Sequence, residues 1–180
     1  LMADAVSGVS TVVYEERNKY YIDITDDLTF LSKGKEFLIS SEVSGYNHLY
    51  MVSVKDGSRR ALTSGNWDVA EMLGVDEKRG LVYYLSTETS PMERMLYSVS
   101  LDGKRRRLIT RVPGSHRISF SADYSFYVDS YSDANTPTRV AVNDHKGEEI
   151  RVLRDNAGLQ KRTADLGYMP VEFFSFSSPE

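Results

Sequence analysis

Two adjacent carboxylates, Glu15-Glu16, follow Tyr14 and are the first residues whose types and spacing suggest chemistry. Their combined charge would favour a substrate ammonium in a partly dry site. In a strand, however, neighbouring side chains point to opposite faces, so a shared ligand needs a bulge or a helical turn. The following Arg17-Asn18-Lys19 reads as a turn, which makes the pair a solvated hairpin end. Glu15 and Glu16 are therefore weak substrate-side candidates. The three histidines, His48, His116 and His145, lie far apart without metal-ligand spacing, and they read as strand-end or surface residues. No Gly-x-Ser-x-Gly elbow, Walker loop or dinucleotide glycine pattern occurs, and there is no cysteine to act as nucleophile, thiolate ligand or disulfide. No catalytic residue, cofactor or metal is expected within the chain.

The strongest charge cluster is Lys104-Arg-Arg-Arg107, with Arg111 nearby. On a strand its charges alternate between faces, and the net charge of −4 opposes a nucleic-acid partner. It reads as a solvated outer strand. Glu42 and Glu88 stand at equivalent places in a repeated pattern, which suggests a structural role in bonding loop N–H groups. Trp67 and the twelve tyrosines read as core or rim rather than as a sugar-binding platform.

Those residues belong to a sequence that says the same thing three times. Phe37-Leu-Ile-Ser-Ser-Glu42, Tyr83-Tyr-Leu-Ser-Thr-Glu88 and Phe126-Tyr-Val-Asp-Ser-Tyr131 open the units. Alternating strands follow at Leu49–Val54, Leu96–Leu101 and Arg139–Asn143, then turns at Asp56-Gly57, Asp102-Gly103 and Lys146-Gly147. Polar strands at Arg59–Thr63, Arg105–Ile109 and Glu149–Leu153 close each unit. Gly57 to Gly103 is 46 residues and Gly103 to Gly147 is 44, a period that marks four-stranded β-propeller blades. The expectation is an all-β propeller fragment of about three four-stranded antiparallel blades plus strands of a preceding blade. The divisions are 1–27 for the end of that earlier blade, 28–65, 66–111 and 112–155 for the blades, and 156–180 for a connector.

Within this frame, 11–14 and 20–22 read as leftover strands, Asp155–Arg162 as a short helix, and 171–176 as one more strand. Phe37, Ile39, Tyr50, Val52, Tyr83, Leu85, Tyr97 and Val99 are the expected inter-blade core. Apolar residues make up 41% and charged residues 27%, a globular balance with no run long enough to span a membrane. The opening residues lack a signal-peptide pattern, and the chain reads as an excised piece.

Several stretches carry a family likeness. Ser44-Gly-Tyr-Asn-His-Leu-Tyr50, Ser86–Arg94 leading into Leu96–Gly103, Ser130–Pro137 and Val152–Asn156 together resemble the late propeller of the dipeptidyl peptidase IV family, bacterial members above all. These are prolyl oligopeptidase-type serine peptidases. The resemblance implies an eight-bladed propeller followed by an α/β-hydrolase domain, release of Xaa-Pro and Xaa-Ala dipeptides, and an exported or periplasmic location. It places the catalytic Ser, Asp and His beyond Glu180, in a hydrolase domain outside this chain, with a peptide substrate as partner. The family's amine-gripping glutamate pair belongs to an earlier segment. Glu15-Glu16 shares its Tyr-Glu-Glu string but lies too late and lacks the surrounding pattern, so that role is not carried over. On this reading the chain shields and gates a hydrolase, and an open arc of blades is expected to self-associate. The alternative is a stand-alone propeller that binds protein or carbohydrate.

Overall fold

The computed structural model describes residues 1–177. A two-residue pairing of β1 (Met2–Ala3) with β2 (Ser10–Thr11) precedes three four-stranded antiparallel sheets, each a simple meander. The first sheet is β3 (Thr29–Phe30), β4 (Glu36–Ser41), β5 (His48–Ser53) and β6 (Arg59–Ala61). The second is β7 (Val69–Asp76), β8 (Leu81–Ser86), β9 (Met95–Ser100) and β10 (Arg106–Leu108). The third is β11 (Ser115–Phe120), β12 (Phe126–Ser132), β13 (Arg139–Asp144) and β14 (Glu149–Arg154). One helix, α1 (Ala157–Asp165), follows. The chain divides into two compact units, the first ending at Val112 and the second beginning at Pro113.

Turn chemistry explains why the strands reverse where they do. At the β5–β6 turn, Asp56 Oδ1 accepts from the Ser58 N–H at 3.1 Å and its hydroxyl at 2.7 Å, while Gly57 takes φ 68°. A side chain there would be strained by its backbone and would put Cβ 2.2 Å from the Val13 carbonyl oxygen, so glycine is required twice over. The β9–β10 turn repeats the device, with Asp102 accepting from Ser100 and from the Lys104 N–H, and Gly103 at φ 75°.

In the first unit the core lies between the first two sheets. Leu38, Leu49, Met51 and Leu62 join Val69, Val82, Tyr84, Met95, Tyr97 and Val99 in one buried cluster. Register places Val82 opposite Val99 and Tyr84 opposite Tyr97, so these four share a face. Tyr83 and Leu85 pair with Ser98 and Leu96 on the opposite face, and that face is buried as well. The expected core set therefore mixes the two faces of the second sheet, and in the first sheet it names the face turned away from the cluster. Strands apolar on both faces lose the alternation that would reveal which side is in.

Three further expectations are corrected. Among residues 12–28 no strand forms, and β2 keeps only Thr11 of the expected 11–14 run. Residues 171–176 are exposed and form no strand, because that apolar run finds no partner ladder. The helix is displaced from 155–162 to 157–165, and the Asp155 carboxylate accepts from the Ala157 N–H just before its start.

Candidate functional site

Glu15 and Glu16 part company. Glu15 is exposed and pairs with Arg17 at 2.8 Å. Glu16 turns inward, where the Tyr14 hydroxyl donates to Oε2 at 3.0 Å and the Ser41 hydroxyl, at the end of β4, donates to Oε1 at 2.7 Å. Arg59, at the start of β6, donates to the Tyr14 oxygen at 3.2 Å and lies 5.8 Å from the Tyr50 ring centre. Burial raises the Tyr14 pKa; the Arg59 hydrogen bond opposes the rise, and that to Glu16 adds to it. The next residue along β4, Ser40, points the other way and bonds Asp27 at 2.7 Å and Thr25 at 2.9 Å.

Glu16, Asp23 and Glu42 line a cleft of about 20 Å³ with Ser40 and Ser41. That is room for about one water and not for a peptide end. The arrangement can hold a small polar guest beside three carboxylates, but it does not bring Glu15 and Glu16 onto one ligand.

The histidines are not surface residues throughout. His48, the first residue of β5, is 1% exposed. Its Nε2 donates to the Gly65 carbonyl at 3.0 Å, since that oxygen can only accept, which leaves Nδ1 to accept from the Thr63 hydroxyl at 3.1 Å. Trp67 meets the ring edge-on at 4.8 Å, and Gly65, at φ 146°, lies so close that a Cβ would stand 2.1 Å from the indole nitrogen. His116 on β11 is buried too, with Nδ1 2.8 Å from the Asp129 carboxylate of β12 and its ring 5.0 Å from that of Tyr131. Both partnerships join residues that only the folded chain brings together. His145 sits in the β13–β14 turn as expected.

Trp67, half-buried, stacks on Tyr84 at 6.3 Å, and Tyr84 on Tyr97 at 5.7 Å, forming a column rather than an open platform. Burial drives the Tyr84 pKa far upward and raises that of Tyr97. Arg106 caps the column 5.4 Å from the Trp67 ring and donates to Glu88 Oε1 at 2.5 Å. Glu88 thus takes a guanidinium rather than backbone donors, because the outer strand brings Arg106 across to it. The rest of β10 is exposed, as a solvated outer strand should be. Among the described residues, no three His, Cys, Asp or Glu side chains converge to hold a metal. No helix there is long and apolar enough to cross a membrane.

In the second unit a cavity of about 430 Å³ opens between the loop 133–137, one side of α1 and residues 168–171. It is far roomier than the cleft beside Glu16, and nothing in the repeat pattern signalled it.

The blade repeat has close relatives. The dipeptidyl peptidase IV (DPP IV) N-terminal region family matches residues 1–138. The chain belongs to this family. The dipeptidyl peptidase 4 of Porphyromonas gingivalis superposes on 87% of the chain with a TM-score of 0.78 and 38% identity. A probable dipeptidyl peptidase 4 of Aspergillus flavus is 30% identical over 91% of the chain, and the dipeptidyl peptidase 4 of Arthroderma otae 33% identical over 88%. The chain spans only about a fifth of these relatives' length, 20% and 21% for the fungal proteins and 22% for the bacterial structure. The three sheets are therefore part of a DPP IV-type β-propeller.

Proposed function

We propose that this chain is the non-catalytic late-propeller segment of a DPP IV-like serine exopeptidase. It would shield and gate peptide access to an α/β-hydrolase domain outside the chain. Residues 28–65, 66–111 and 112–155 each supply a blade, 1–27 ends the preceding one, and 156–180 leads toward the hydrolase. The observation that carries this reading is the family match across most of the chain, joined to a span of only a fifth of each relative. Gating asks of the blades only a rigid wall that admits chain ends and excludes bulk, and the doubly buried strands of the first unit are suited to that.

In the full-length protein, a Gly-Pro chromogenic dipeptide should be turned over while a folded protein with an internal Xaa-Pro bond is spared. Loosening the second blade with Tyr84→Ala should narrow that discrimination. Equal cleavage of both substrates by the unmodified protein would overturn the gating reading. The isolated chain should self-associate, since it exposes Tyr20, Tyr21, Phe30, Phe173, Phe174 and Phe176. Light scattering over a dilution series would contradict this by showing a monomer at every concentration.

A further inference from the structure

Helix α1 buries none of its residues, so packing does not decide where it lies. Its position is set at its two ends, both on the same loop. At the entry, the Asn156 side-chain amide donates to the Thr138 carbonyl oxygen. At the exit, the Asn135 amide behaves like a short strand: Nδ2 donates to the Val171 carbonyl at 3.0 Å and Oδ1 accepts the Val171 N–H at 2.7 Å. Asn135 is itself held, its N–H bonding Asp133 Oδ1 at 2.8 Å.

Each end also carries a left-handed residue. Asn156 has φ 55° and ψ 25°, a conformation asparagine tolerates better than most residues. Gly167 has φ 67° and closes the helix in a Schellman arrangement, its N–H bonding the Ala164 carbonyl and that of Tyr168 the Thr163 carbonyl. Between these hinges the helix is one stiff piece, and the cavity of about 430 Å³ separates it from loop 133–137.

We propose that residues 156–171 form a strap that swings open as a unit, and that Asn135 is the positioning residue that latches it. The gap between helix and loop and the unburied helix leave few protein contacts to oppose opening once the two amide bonds at Val171 are lost. Only the neck of the excursion is fastened, so release frees residues 156–171 together without disturbing the blade strands.

The test is the distance between spin labels at Ala134→Cys and Gln160→Cys, on the two sides of the gap, together with hydrogen exchange, in the chain with Asn135 intact and in those carrying Asn135→Ala or Asn135→Asp. In Asn135→Ala the label separation should lengthen and its open fraction rise about thirtyfold, the size expected for losing two ordinary net hydrogen bonds, while exchange within α1 stays unchanged because the helix moves as one piece. Exchange at Val140 and Val142 in β13 should not change. Asn135→Asp keeps the acceptor for the Val171 N–H but loses the donor, and should fall between the two. An unchanged label separation in Asn135→Ala would overturn the proposal. So would acceleration spread equally over β12 and β13, which would mean that Asn135 supports the blade and latches nothing.

Discussion

The second and third sheets follow the same repeat and are held together differently. In β9 every residue is buried, and in β8 all but Leu81. In β12 only Tyr127 is fully buried, and β14 is exposed from end to end. Where the second sheet places Val82 against Val99 and Tyr84 against Tyr97, the third relies on polar partnerships across strands. His116 bonds Asp129, and Arg139 meets Glu149 in a two-point pair at 2.6 and 2.9 Å. The repeat thus specifies strands and turns, while the apolar content of both faces specifies how firmly each sheet is set. Burying a large apolar side chain contributes about 1.5–3 kcal/mol. An exposed ion pair contributes about 1 kcal/mol or less.

The largest expected effect lies in the first unit's core. Leu96→Ala, at a fully buried site on β9 of the second sheet, should cost about 3 kcal/mol in a urea melt. Val152→Ala, on exposed β14, should stay within about 0.5 kcal/mol. Comparable losses at the two sites would erase the contrast.

Next comes the third sheet's polar hold. Asp129→Ala removes the carboxylate from the buried His116 ring and should cost about 2 kcal/mol. A loss near zero would mean that the apolar residues of that sheet suffice. Glu88→Gln in the β8–β9 loop should cost less, about 0.5–1 kcal/mol and falling with added salt, because its Arg106 partner is partly exposed.

The smallest effect is a pH dependence common to the turns. Hydrogen bonds from the Ser58 hydroxyl and N–H lower the Asp56 pKa to about 2, and hydroxyl donors likewise lower Asp102 and Asp123. A carboxyl lowered in the folded state stabilises above its unfolded pKa and loses that contribution as pH falls through the folded one. For Asp56 the loss runs from about pH 4 down to about pH 2. Asp56→Asn should flatten the acid limb of the stability curve slightly, which urea melts at pH 7, 4 and 2.5 would register.

Most of the fold was legible in the sequence. Strands expected at 49–54, 96–101 and 139–143 appear at His48–Ser53, Met95–Ser100 and Arg139–Asp144, because alternation and glycine turns are local signals. The face assignment was not legible, since pairing Tyr84 rather than Tyr83 with Tyr97 depends on register across a turn. Nor were the buried histidines, whose partners Thr63, Gly65 and Asp129 lie 13 to 17 residues away. Glu15 and Glu16 were visible as acids, but only the fold shows Ser41 drawing Glu16 inward while Arg17 keeps Glu15 out. The Asn135 latch had no sequence signal, because a side-chain amide bonding a backbone 36 residues away leaves no period.

If the blades act as we propose, this chain by itself cleaves no peptide. Incubating the purified 180-residue chain with a Gly-Pro chromogenic dipeptide tests it most directly. No turnover above the buffer blank is expected. Turnover that disappears when a serine within the chain is replaced by alanine would contradict it.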